Sequence, residues 1–311
     1  MNAMTRTAAM FGALIAFTSS AALMAQTPSS ALAGKAIITV TTIGKKNAPP
    51  PPVSKNDIQL TVNKERKQVA GWEKGDSLAL AILIDDSLES DVANQWTELR
   101  EFIMAQSPNT AVAVAYASNS QVNIAQDFTT DHALAAKALR IPLGRFGIGS
   151  SPYLAVIDWL KRWPTPGGRG SLLLISSGID FLRGGAWGPF YPDLDTVISR
   201  AQRENVNLWS IYYPSVGHRS HGFGLVNVGQ NNLSKMTDET GGEVYYLGFN
   251  APVSFKPYLD ELHLHLSNQY LLSFAGDGGA KGKYLRIQVK SELPNVEFSH
   301  ANNAFINPSS K

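Results

Sequence analysis

The stretch SLALAILIDDSLES, residues 77–90, decides how this chain folds. Residues 77–85 are almost continuously apolar and show no polar alternation, which predicts a strand buried on both faces of a parallel sheet. The run breaks abruptly into Asp85, Asp86, Ser87, Glu89 and Ser90. A helix is expected next, over residues 92–104, because Val92, Trp96, Leu99 and Ile103 recur every three to four positions.

Working outward, the same grammar repeats. Buried strands are predicted at 111–117 (AVAVAYA), 171–175 (SLLLI) and 206–212 (VNLWSIY), with a short one at 243–247. Helices are predicted at 130–139, capped by Thr130 or Asp131, and at 152–163, with Pro152 in the first turn. Others follow at 194–204, at 231–240 before the stop signal Gly241-Gly242, and at 253–267. Strands alternating with helices call for a doubly wound, mostly parallel sheet flanked by helices. The two ends read differently. Residues 36–42, 57–62 and 67–72 are strand-like, as are 270–274, 284–289 and 296–300, with a stiff four-proline run at 49–52. The economical architecture is an α/β domain, residues 73–267, inserted into a small antiparallel β-sandwich-like unit built from 36–72 and 268–307.

Composition sets limits on function. At 44% hydrophobic residues the chain is too apolar to be intrinsically disordered, and its 311 residues suit one large domain or two smaller ones. Lys and Arg number 27 against 25 Asp and Glu, so no global field favours nucleic acid or an anionic membrane. The absence of cysteine excludes disulfides, thiol nucleophiles and cysteine–zinc sites, leaving oxygen or histidine to hold any metal. Residues 1–25 place Arg6 before an apolar stretch at 8–17 and end in small residues at Ala25, the layout of a cleaved secretory signal. That stretch is well short of the roughly 20 residues a membrane span requires. Residues 26–35 read as a disordered leader. The expected protein is exported, periplasmic or secreted, with no membrane span.

In open α/β sheets, ligands bind beyond the carboxyl ends of the strands. Three loops there carry acidic, hydroxyl and glycine residues: Asp85–Ser90, residues 147–151 before Pro152, and 176–180 after the third buried strand. Converging at one edge, they would offer hard oxygen ligands suited to Mg²⁺, Ca²⁺ or Mn²⁺ and not to zinc.

Here the sequence resembles the von Willebrand factor type A (vWA) family. That family builds a metal-ion-dependent adhesion site from Asp-x-Ser-x-Ser, a Thr on a second loop and an Asp on a third. LAILIDDSLES (80–90) matches the first loop, with Asp85 and Ser87 on the first Asp and Ser, and Glu89 replacing the second Ser. GIGSSPYLAVIDWL (147–160) resembles the second loop and its helix, placing Ser150, or Ser151, at the Thr. LLLISSGID (172–180) resembles the third, with Ser177 at the Asp and Asp180 three residues on. Residues 55–76, 125–139 and 267–292 further resemble secreted acidobacterial VWFA-related proteins.

The resemblance implies a protein or peptide ligand and a divalent cation, Mg²⁺ or Ca²⁺, held by Asp85, Ser87, Glu89, Ser150, Ser177 and Asp180. Glu89 either binds the cation or fills its place by bonding Ser150 and nearby backbone. In the bland alternative the site is vestigial and its acids cap the following helix near Asp91. Asp86, Ser151, Trp187, Phe190, His218 and His221 are the expected partner-facing residues. Trp187 and Phe190 lie in a Gly- and aromatic-rich insertion, 183–192, which either anchors a partner or folds down as a lid.

Other chemistries lack support. His218 and His221 sit in GHRSHGFG (217–224), read as a mobile loop, and His263 and His265 do not share a helix face. No Gly-x-Ser-x-Gly elbow, phosphate loop or dinucleotide fingerprint occurs. The expectation is a non-enzymatic binding module. A structural scaffold for the cell envelope is the alternative, and a hydrolase using Glu89 or Asp180 ranks last.

Overall fold

The computed structural model describes residues 34–144, 150–164, 168–182, 191–216 and 222–308. The amino-terminal strands are β1 (Lys35–Gly44), β2 (Ile58–Val62), β3 (Glu65–Lys67) and β4 (Gly71–Lys74). The middle runs β5 (Leu78–Asp85), α1 (Trp96–Met104), β6 (Thr110–Ser118), β7 (Gln121–Thr129), α2 (His132–Lys137) and α3 (Pro152–Leu160). It continues with β8 (Gly170–Ser176), α4 (Pro192–Glu204), β9 (Val206–Tyr212), α5 (Gly222–Thr240), β10 (Val244–Tyr245) and α6 (Lys256–Ser267). The chain closes with β11 (Gln269–Ala275), β12 (Lys283–Ser291), β13 (Val296–His300) and β14 (Asn303–Ile306).

The side-chain alternation of β5 divides the α/β core in two. Leu78, Leu80, Ile82 and Ile84 face α1, α2 and α6, packing with Leu99, Ile103, Leu259 and Leu262. Ala79, Ala81 and Leu83 face the other way, toward Val156, Leu160, Val197 and Leu233 of α3, α4 and α5. All eight residues of β5 are buried, as its unbroken apolar run requires. The six-stranded sheet has the order β10-β9-β8-β5-β6-β7. All pairings are parallel except that of β7, which runs antiparallel to β6 along the edge. The order reverses between β5 and β8, so the crevice that doubly wound sheets use for ligands opens between the ends of those two strands. This is a vWA-like α/β fold.

Strands from the two ends of the chain pair with each other. One four-stranded sheet has the order β13-β1-β11-β4, the other β14-β12-β2-β3. They enclose a shared core of Ile38, Val40, Leu60, Val62, Phe274, Ile287 and Val289. Asn205, in a left-handed conformation after α4, ties this unit to the α/β layers by accepting the Thr39 amide at 2.7 Å.

Several expected elements shift. The strand expected at 67–72 is two strands, β3 and β4, in different sheets, because Val69 turns into the core where the chain crosses over. β7 is an addition. Its residues are largely exposed along a sheet edge, so no apolar run marks it. A two-residue turn at Asn119-Ser120, both with positive φ, joins it to β6. The helix expected at 231–240 begins at Gly222, so Gly222–Gly224 are helical rather than part of a loop. The helix expected from 92 starts with a 3₁₀ turn, Ser90–Gln95, before α1. Among the described residues no helix is long and apolar enough to cross a membrane. Residues 1–25 lie outside the described residues.

Candidate functional site

β5 delivers Asp85 to the crevice, and the next turn fixes it there. Asp85 Oδ1 accepts the Ser87 amide at 3.0 Å and the Ser87 hydroxyl at 2.7 Å. Its Oδ2 accepts the Ser176 hydroxyl from the end of β8 at 2.8 Å. The first and third loops are therefore joined through this carboxylate. Only 4% of Asp85 is exposed, and burial pushes its pKa above the ordinary range against the lowering effect of those bonds.

Asp86 turns the other way. It is buried and forms a bidentate pair with Arg140, at 2.7 and 2.9 Å, while Oδ1 also accepts the Leu143 amide at 3.0 Å. The guanidinium lies over the Tyr116 ring, 3.6 Å from its centroid. Asp86 was expected to face a partner. Instead it anchors the segment after α2, because a carboxylate this deeply desolvated requires its own cation.

The second and third loops meet at α3. Ser151, not Ser150, is the N-cap: its hydroxyl accepts the Leu154 amide and donates to Asp180 Oδ2 at 2.9 Å. Its own amide donates to Ser120 Oγ at 2.9 Å. Ser151 is thus a buried structural residue and not a partner-facing one. Ser150 contributes its carbonyl, which accepts the amides of Phe181 and Leu182 at 2.9 and 3.2 Å. This chain reversal brings Asp180 back to the second loop. Asp180 Oδ1 accepts the Leu182 amide at 3.0 Å. Ser177 is fully buried, and its hydroxyl has no hydrogen-bond partner.

The third loop also rests against α5. Gly178 has φ +69° and no room for a side chain, since a Cβ there would lie 2.4 Å from the Gly229 carbonyl oxygen. A Cβ at Gly229 would lie 2.2 Å from the Ser177 carbonyl oxygen. Tyr153, wholly buried, donates to the Gly178 carbonyl at 2.6 Å. The loop after β9 closes the group: the Val216 amide donates to the Ser87 carbonyl at 2.8 Å and the Glu89 amide to the Pro214 carbonyl at 3.2 Å. Glu89 is half-buried, and burial together with its charge pushes the Tyr212 hydroxyl up to about 12. Among the described residues, no three of Asp85, Asp86, Glu89 and Asp180 bring carboxylate oxygens within 4.8 Å of one another. Trp187, Phe190, His218 and His221 lie outside the described residues.

Sequence reasoning passed over one feature at this end of the sheet. Phe223, in the first turn of α5, is 71% exposed and meets Phe249 edge to face at 5.1 Å. Leu247, in the turn after β10, is 69% exposed, and Gln230 of α5 holds that turn by donating to the Gly248 carbonyl at 2.6 Å. Both segments follow carboxyl ends of parallel strands, so this apolar rim belongs to the face that carries Asp85 and Asp180. The signal was present in GFG at 222–224 and in YYLGFN at 245–250, where aromatics fall at positions that a buried element would not repeat.

No family model and no curated protein sequence matches the chain. Solved structures do resemble it. An aerotolerance-related membrane protein from Bacteroides fragilis aligns with 61% of this chain and 98% of its own, at 10% identity and TM-score 0.44. The ArnB paralog VWA2 from Sulfolobus acidocaldarius covers 89% of this chain and 76% of its own, at 9% identity and TM-score 0.38. The SpRpn10 VWA domain covers 59% and 94%, at 13% identity and TM-score 0.35. At these values the fold assignment rests on strand order and helix placement in the chain itself.

Proposed function

We propose that this chain is an exported, non-enzymatic protein-binding module that docks its ligand on the strand-end face. The observation that carries the reading is the Phe223–Phe249–Leu247 rim, exposed apolar surface on the first turn of α5 and on the turn after β10, which Gln230 holds through the Gly248 carbonyl. Exposed aromatics on a rigid support are what protein interfaces use as anchors. The export part of this reading is supported by the signal-like layout of residues 1–25.

The face works without a resident cation in this reading. The Asp85 oxygens take three protein donors, Asp86 is spent on Arg140, and Asp180 is spent on Ser151 and Leu182. A second reading, adhesion through Mg²⁺ or Ca²⁺, is favoured by the unpartnered Ser177 hydroxyl at the third-loop position. Asp85, Ser87, Ser151 and Asp180 would then hold the ion, which would supply a coordination site for a ligand carboxylate. Capture of envelope proteins by the purified chain, with and without chelator, separates the two. The metal-free module binds equally in both conditions and loses capture in Phe223→Ser/Phe249→Ser.

A further inference from the structure

On the flank of the sheet, away from the strand-end loops, three ligand-type side chains converge. Glu261 and His265 are four residues apart on α6 and so share one helix face. Glu243 reaches them from the turn that follows α5, immediately before β10. One ligand atom from each lies within 4.8 Å of the others, and His265 Nδ1 is 3.9 Å from Glu243 Oε2.

Acidic groups at a surface gather without consequence, but the histidine does not fit that account. His265 is 2% exposed, and neither ring nitrogen has a hydrogen-bond partner. A buried imidazole normally satisfies at least one nitrogen, because leaving it bare forfeits the full cost of desolvation. Here Trp209 holds the ring from behind, with centroids 5.5 Å apart, and Nδ1 is directed at the carboxylate. The Tyr245 hydroxyl beside this group is also buried and unpartnered.

We propose that Glu243, Glu261 and His265 form a divalent transition-metal site, best suited to Zn²⁺, that staples the edge strand β10 to α6. Imidazole nitrogen with carboxylate oxygen suits zinc, and the ligand atoms of a tetrahedral zinc lie about 3.3 Å apart. The 3.9 Å separation closes to that value by small side-chain rotations. The staple has a purpose in the fold. β10 is only two residues long, and among the described residues β9 is its sole strand partner.

The test is calorimetric titration of Zn²⁺ into the metal-stripped full chain, with thermal unfolding recorded in parallel. One equivalent binding at micromolar affinity and raising Tm supports the site, provided that Glu243→Gln and Glu261→Gln each weaken binding about tenfold or more. These two variants alter partly exposed residues and keep the fold testable where His265→Ala does not. His218→Ala/His221→Ala controls for the other histidine pair and is expected to bind as the parent does. Zinc binding weaker than about 0.1 mM, or binding indifferent to both glutamine variants, or binding lost in the control, overturns the proposal.

Discussion

Arg140→Met isolates the contact that turns Asp86 away from the partner-facing role the sequence suggests. In the parent, Asp86 has 4% of its side chain exposed and receives two guanidinium hydrogen bonds and one amide. Removing one partner of a fully buried ion pair costs about 3–5 kcal/mol, because a desolvated charge is left behind. Arg140 keeps 40% of its side chain in solvent, so water screens part of the pair and about 2–3 kcal/mol is the expected loss. Methionine retains packing over Tyr116, which confines the effect to charge. For a chain of this size that loss lowers Tm by roughly 4–10 °C. Asp86→Asn alone keeps the acceptor for the Leu143 amide and is expected to cost about 1–2 kcal/mol. In the double variant nothing charged is stranded, so its loss falls short of the sum by at least about 1 kcal/mol. Urea unfolding followed by circular dichroism measures all three. An Arg140→Met loss under about 0.5 kcal/mol, or strict additivity in the double variant, would refute the assignment of Asp86 to an internal anchor.

Further predictions follow from the same contacts. Gly229→Ala is expected to destabilise by about 2–4 kcal/mol, since its Cβ has to displace the Ser177 carbonyl from 2.2 Å; a loss within 0.5 kcal/mol by denaturant melt contradicts the close approach. Asp85 has a raised carboxyl pKa, so the folded state holds its proton to higher pH than the unfolded chain does. Its contribution to stability therefore falls as pH rises from about 4 through the folded value. Asp85→Asn, which still accepts from Ser87, is expected to flatten that slope and to match or exceed parental stability at pH 7; a steeper loss at neutral pH counts against it. Phe223→Ser/Phe249→Ser is expected to leave Tm within about 2 °C because both rings are exposed, and a larger drop would make them core residues instead of a docking rim.

The reach of the sequence follows from how local each determinant is. Leu78–Asp85 announces a doubly buried strand because every residue in it obeys one physical demand, and the α/β core grows from that. β7 carries Gln121, Asn123 and Gln126 toward solvent, so an edge strand hides in a polar stretch and only the Asn119-Ser120 turn betrays it. In the site, Asp85 and Ser87 are legible because they bond each other across two residues. Arg140 is not, since its partner lies 54 residues away and nothing beside it hints at a buried acid. The choice between Ser150 and Ser151 also needed the fold: capping geometry, set by Pro152 in the first turn of α3, selects Ser151. Glu261 and His265 were within reach of helical spacing, but Glu243 joins them only through the pairing of β10 with β9.

The central claim is that a cation-independent apolar rim at the strand-end face captures a protein ligand. Its most direct measurement is ligand capture from the native envelope by parent chain and by Phe223→Ser/Phe249→Ser, each with and without EDTA. The account predicts equal capture by the parent in both conditions and none by the double variant. Capture abolished by EDTA, or retained when both rings are gone, contradicts it.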